Sequence, residues 1–119
     1  MNTIIRVGSA MIVGLILFGC NRATAQSKTE TIHISTRIYC DHCQKCETCR
    51  SLIEESVYRL KGVKRVDIDV ASMSIRVAYN ADRTNPDQIR NSIAAVGYDA
   101  DSLSADPDAY SRLDACCKK

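Results

Sequence analysis

Polar and apolar residues alternate over residues 31–39, with Ile32, Ile34, Thr36 and Ile38 on one side and His33, Ser35 and Arg37 on the other. A period of two predicts a half-buried strand, with His33 on its solvated face. Further on, Ile53, Val57 and Leu60 recur at i, i+4 and i+7, flanked by Leu52. That spacing puts one apolar stripe on a helix, and Lys61-Gly62 supplies the cation and glycine of a helix end. Alternation returns over residues 63–70 through Val66, Ile68 and Val70, pauses at Ala71-Ser72-Met73, and resumes with Ile75, Val77 and Tyr79. Two such runs around a short turn predict a hairpin. Met73 is read as a turn residue packing on that hairpin rather than as a ligand.

Asn85-Pro86-Asp87-Gln88 combines an N-cap residue, proline at the first helical position and an acidic first turn. Ile89, Ile93 and Val96 give the second helix its buried stripe, and Gly97 ends it. Residues 98–103 are expected to form a last short strand, and Asp106-Pro107 to cap a short terminal helix carrying Tyr110 and Leu113. The order strand, helix, strand, strand, helix, strand predicts an α+β, ferredoxin-like βαββαβ sandwich. In it a four-stranded antiparallel sheet carries two helices on one face.

Between the first strand and the first helix lies Cys40-Asp41-His42-Cys43-Gln44-Lys45-Cys46-Glu47-Thr48-Cys49. Core cysteines do not repeat in register beside Asp, His, Gln and Lys. Sulfurs three residues apart on a strand-to-helix loop can converge on one atom, which suits either a soft metal ion or thiol–disulfide exchange. With Thr48 as N-cap, or a start nearer Cys46, Cys49 falls in or near the first helical turn. There the partial positive charge of the helix end favours thiolate over thiol.

The composition adds a direction to this. Arg6 is the one charge before an apolar run from Val7 to Phe18, too short for a membrane-spanning helix of about 20 residues. Residues 1–25 are therefore expected to be an export signal. Ala23-Thr24-Ala25 offers a cleavage site before Gln26; Leu17-Phe18-Gly19-Cys20 offers a lipobox with Cys20 as the anchored residue, although Phe18 is bulky for it. Either route predicts an extracytoplasmic domain, periplasmic or lipid-anchored to a bacterial envelope, touching membrane only through Cys20. Residues 26–30 read as a linker, 31–103 as the domain and 104–119 as a tail ending in Cys116-Cys117-Lys118-Lys119. Removing Arg6 and Arg22 from the 16 basic residues leaves the rest balanced against 14 acidic ones, which argues against a nucleic-acid partner. No paired-carboxylate, Ser-His-Asp or phosphate-loop constellation points to an enzyme, and no catalytic residue is assigned.

An oxidising compartment also favours disulfides, and six of the seven cysteines remain once Cys20 is set aside. Three structural disulfides are thus an alternative to a metal site. The spacing serves that alternative poorly. Bridges within residues 40–49 close tiny loops that constrain the unfolded chain little, and a bond between adjacent Cys116 and Cys117 is strained.

Over residues 31–103 the chain resembles the heavy-metal-associated domain family, which includes copper chaperones, the periplasmic mercury-binding protein and the N-terminal domains of metal-pumping ATPases. Cys46-Glu47-Thr48-Cys49-Arg50-Ser51-Leu52-Ile53-Glu54 is similar to the family's Cys-x-x-Cys and following helix. Leu60-Lys61-Gly62-Val63-Lys64-Arg65-Val66 is similar to its L-x-G-V-x-x-V segment, and Ala94-Ala95-Val96-Gly97-Tyr98-Asp99-Ala100 to its I-x-x-x-G-Y-x-A ending. The resemblance implies that Cys46 and Cys49 are metal ligands, and that Tyr98 lies beside the metal site; packing of Tyr98 against the sheet edge is the alternative. Two features depart from the pattern. Gln44 stands where the family usually has Met, and Cys40-Asp41-His42-Cys43 adds a second Cys-x-x-Cys ahead of the usual one.

The candidate ligand set is therefore Cys40, His42, Cys43, Cys46, Cys49, Cys116 and Cys117, with the tail pair included on the expectation that it folds back toward the loop. Two thiolates with open sides suit Cu(I) or Hg(II); four would suit tetrahedral Zn(II). The expected order is copper, then zinc, then mercury or another soft ion, and the expected function is sequestration or transfer of that ion. A metal-transporting membrane protein or another metallochaperone would be the partner. Two other classes stay open: an exported thiol–disulfide exchange protein using Cys46 and Cys49 with Cys40 and Cys43 as resolving pair, and a disulfide-stapled interaction domain.

Overall fold

The computed structural model describes residues 27–39 and 47–119. The export segment and its Cys20, and the loop positions Cys40, His42, Cys43, Gln44 and Cys46, lie outside the described residues.

Three strands, β1 (Thr29–Ser35), β2 (Val63–Asp69) and β3 (Ser74–Asn80), form an antiparallel sheet in the order β1-β3-β2. The register pairs Ile34 with Ile75 and Ile32 with Val77 on one side of β3, and Ile68 with Ile75 and Val66 with Val77 on the other. Alternation thus stacks Ile34, Val66, Ile68, Ile75 and Val77 on one face, all buried, because successive side chains of a strand point to opposite faces. His33, Arg65 and Arg76 lie exposed on the other.

Two helices cover the apolar face. Helix α1 (Glu47–Tyr58) contributes Ile53 and Val57, and helix α2 (Pro86–Ala94) contributes Ile89 and Ile93, each fully buried in the same cluster as the strand residues. Asn85 caps α2 as its sequence implies, its Oδ1 accepting the Gln88 N–H at 2.9 Å with Pro86 at the first position.

The alternation of β1 outlasts its ladder. Thr36 and Ile38 remain buried and Arg37 exposed, but the Thr36 N–H donates to the Met73 carbonyl in the β2–β3 turn at 2.9 Å instead of to a strand. Met73 itself sits at φ 52°, and its thioether sulfur takes the Ile38 N–H at 3.3 Å. Met73 therefore supports the segment that leads into the cysteine loop.

Residues 98–103 correct the expectation of a fourth strand. Among the described residues they make one isolated bridge, between Ala100 and Leu103, and the sheet has three strands. The cause is local. Asp101 adopts φ 55°, which turns the chain at the point where a strand would continue. The segment still docks on the edge of β1: the Asp101 N–H donates to the Ser35 carbonyl at 2.8 Å, and the Asp101 carboxylate accepts the Ser35 N–H at 2.8 Å.

The tail folds back on the domain. Helix α3 (Pro107–Arg112) is capped by the Asp106 carboxylate, which accepts the Ala109 N–H at 2.8 Å, and a 3-10 turn follows over Ala115–Cys117. Two contacts seat this tail on the end of α2. The Asp106 N–H donates to the Ala94 carbonyl at 2.9 Å. Gly97, at φ 100°, lets the backbone of Ala109 and Tyr110 pass where a Cβ would stand 3.0 Å away. Leu113 and Cys117 then reach the core.

Candidate metal centre at the start of the first helix

Cys49 occupies the first turn of α1, four residues before Ile53 and eight before Val57. That spacing puts it on the apolar stripe of the helix, and it is 1% exposed. Two neighbours in that turn face solvent, Thr48 and Arg50. The Arg50 guanidinium donates to the Ile68 carbonyl at 3.2 Å, which ties the helix start to β2.

The Cys49 sulfur is bonded to that of Cys117, 68 residues later. Cys117 is 3% exposed, whereas Cys116 faces solvent with its sulfur 3.9 Å from that of Cys117. In this oxidised form Cys49 has no thiolate to offer a metal ion. The bond is also not one between close neighbours, the kind that the spacing of the cysteines brought to mind. It joins the loop end of α1 to the tail, and it buries both sulfurs beside Leu113 in the core cluster.

The far end of the tail meets the other side of the loop. The Lys119 ammonium lies 5.7 Å above the ring of Tyr39, the residue before Cys40. The Lys119 N–H donates to the Tyr110 hydroxyl at 2.9 Å, and the Lys118 ammonium to the Ser111 carbonyl at 2.9 Å. The tail thus contacts the residues on both flanks of the cysteine loop. The signal for this was the apolar pair Tyr110 and Leu113; nothing in the sequence chose Cys49 as the sulfur that Cys117 meets.

The remaining candidates separate. Tyr98 is 2% exposed and belongs to the core cluster. His33 is exposed on the open sheet face, opposite Arg76 in the register. On that face Arg65 and Arg76 flank Asp67; the hydrogen bond from Arg65 does most to hold its carboxyl below the usual carboxylate range, against an opposing effect of burial and with help from the charges of Arg65 and Arg76. Asp67 and His33 are therefore parts of a solvated surface, remote in the fold from Cys49. In this oxidised form no group of three or more His, Cys, Asp or Glu side chains among the described residues is placed to hold a metal ion. Thr36, four residues before Cys40 in the chain, is 5% exposed, and among the described residues its hydroxyl has no hydrogen-bond partner.

Known proteins share this architecture. The family model described as the heavy-metal-associated domain matches residues 36–99, more than half of the chain. The copper chaperone CopZ of Staphylococcus haemolyticus is 32% identical over 54 residues, which cover 45% of this chain and 79% of that protein. CopZ of Staphylococcus saprophyticus is 28% identical over 71 residues, 60% of this chain and 94% of that one. Of the solved structures, a CopZ metallochaperone superposes with a TM-score of 0.53 at 20% identity, over 60% of this chain and 98% of its own. Oxidised MerP from Ralstonia metallidurans CH34 does so with a TM-score of 0.51 at 19% identity, over 61% and 94%. Those two likenesses speak for the fold. The family match takes in the cysteine loop, Cys49 and Tyr98, and stops short of the tail. This chain belongs to the heavy-metal-associated domain family.

Proposed function

We propose that the protein binds a soft metal ion, Cu(I) before Zn(II) or Hg(II), through the thiolates of Cys46 and Cys49, and sequesters it or hands it on by ligand exchange. The observation that carries this reading is the position of Cys49. It ends a Cys46-x-x-Cys49 motif and stands in the first turn of α1, within a family whose matched relatives include proteins named as copper chaperones. A helix N-terminus stabilises thiolate, and thiolate is the form that binds a soft ion. Binding displaces the thiol protons, so affinity falls as pH falls.

The reading extends to place and partner. The signal-like residues 1–25 direct the domain out of the cytoplasm, either free after cleavage before Gln26 or anchored at Cys20. The acceptor or donor is a metal-transporting membrane protein or another metallochaperone, because an ion held by two sulfurs passes readily to a second pair. Cys40, Cys43 and His42 enlarge the ligand set. The chain acts as a carrier and not as an enzyme.

Anaerobic titration of the reduced protein with Cu(I), against a chromophoric Cu(I) chelator, tests the reading. Uptake that is lost with Cys46→Ser plus Cys49→Ser supports it; uptake unchanged in that variant removes it. The Cys49–Cys117 disulfide favours a second reading, thiol–disulfide exchange with a partner protein. That reading expects a mixed disulfide at Cys46 or Cys49 trapped by a single Cys→Ser variant, with little preference for Cu(I).

A further inference from the structure

Three sulfurs gather where the tail meets α1. Cys49 and Cys117 are bonded, and the Cys116 sulfur is 3.9 Å from that of Cys117. Only Cys49 falls inside the span matched by the family model. The tail is held there by more than the disulfide. The Asp106 N–H donates to the Ala94 carbonyl at 2.9 Å, the α3 backbone passes close over Gly97, Leu113 is buried, and Lys119 caps the ring of Tyr39. None of those contacts includes the bond between the sulfurs, so reduction would leave three thiols where the tail meets α1.

We propose that Cys49, Cys116 and Cys117 in their reduced state form a three-thiolate site for a soft metal ion, and that the Cys49–Cys117 disulfide is the oxidised, metal-free form of that site. This rests on the soft-metal reading above but adds ligands from the tail. Sulfurs bound at about 2.3 Å around one trigonal ion stand about 4 Å apart, close to the Cys116–Cys117 separation of 3.9 Å. Cu(I) and Hg(II) accept three sulfurs, whereas Zn(II) would lack a fourth ligand. Burial of Cys49 and Cys117 keeps water from two of the three sulfurs, and the exposed Cys116 is the position from which a partner's thiolate can enter.

The redox step balances with a dithiol as reductant. Its two sulfurs become a disulfide, and its two electrons and two protons break the Cys49–Cys117 bond into two thiols. Binding of the ion then releases the thiol protons of the three cysteines. Occupancy is therefore coupled to the thiol–disulfide balance of the compartment: an oxidant that closes the disulfide expels the ion.

The test isolates the tail site. Protein carrying Cys40→Ser, Cys43→Ser and Cys46→Ser, processed as in its own cell, is reduced anaerobically by a phosphine, freed of it, and titrated with Cu(I) against a chromophoric chelator. X-ray absorption reads the number of sulfur neighbours. One Cu(I) per chain with three sulfurs is expected. Adding Cys116→Ala should leave two sulfurs and weaken binding on the order of 100-fold, the upper end of what even a supporting group contributes to metal affinity. Cys116 is exposed and outside the Cys49–Cys117 bond, and a circular dichroism spectrum matching that of the triple variant checks that the fold is kept. The unreduced protein should take up no Cu(I). Failure of the triple variant to hold Cu(I) better than the same protein with Cys49→Ser overturns the proposal, and so does a sulfur count unchanged by Cys116→Ala. Neither outcome touches the Cys46 and Cys49 reading, which is judged with the tail sulfurs removed: protein carrying Cys116→Ala and Cys117→Ala should bind Cu(I) and lose it when Cys46→Ser is added.

Discussion

The sulfur of Cys49, in the first turn of α1, is bonded to that of Cys117 at the end of the chain, across a sequence separation of 68. The bond closes β2, β3, α2 and the tail into one loop, with β1 outside it. For a loop of that length the restriction of the unfolded chain amounts to about 4 kcal/mol in the chain-entropy model. Cys117→Ala is accordingly expected to lower the unfolding free energy by about 2–4 kcal/mol relative to the oxidised protein. Urea denaturation with and without reductant checks this. The reductant should shift the midpoint of the native protein and leave that of the variant in place.

Gly97 allows the tail to dock. With φ 100° and a would-be Cβ 3.0 Å from the backbone of Ala109 and Tyr110, alanine meets both an unfavourable backbone region and a neighbour that cannot yield. Gly97→Ala should cost about 2 kcal/mol. Hydrogen exchange should speed up in residues 107–117 before the sheet is affected.

Asp101 links three parts of the fold. Its carboxylate accepts the Ser35 N–H at 2.8 Å and the Arg90 side-chain N–H at 2.8 Å. Burial pushes its carboxyl up, but the hydrogen bonds from Arg90 and Ser35 and the charge of Arg90 outweigh this, and the folded-state value lies below the ordinary one. The resulting stability is fully present above the unfolded value of about 3.9 and is lost as pH falls through the lower folded value. Asp101→Asn keeps a residue that tolerates positive φ and an oxygen for Ser35, and removes the charge. It should be about 1 kcal/mol less stable than the native protein at pH 6, with the gap closing in acid. Thermal unfolding from pH 6 down to pH 2 measures it.

Thr36 presents the opposite case, a buried hydroxyl with no partner among the described residues. Valine has nearly the same shape without the polar atom. Thr36→Val should therefore raise the unfolding free energy by about 1 kcal/mol, the lower end of the cost of burying an unpaired polar group. Its effect on Cu(I) affinity would show whether that hydroxyl serves the cysteine loop.

Period and punctuation carried most of the fold. The alternation through Ile34, Val66, Ile68, Ile75 and Val77 and the stripe of Ile53 and Val57 are the core, and Asn85-Pro86 and Gly97 bound α2 as their chemistry requires. Residues 98–103 read as a short strand following Gly97, but the Asp101 turn at φ 55° leaves them with one isolated bridge, Ala100 to Leu103. Cys49 was half legible. Its place four residues before Ile53 marks it for burial, yet its chemistry drew it into an open site.

By itself, then, the sequence determined the layers and the order of the first three strands and two helices, because these depend on local period and capping. Which sulfurs meet was decided by tertiary structure alone. Six cysteines allow 15 pairings, and the choice of Cys117 for Cys49 depends on how Gly97 admits α3, how Leu113 finds the core and how the tail then reaches the first turn of α1. Those are contacts between residues far apart in the chain, and no local pattern encodes them.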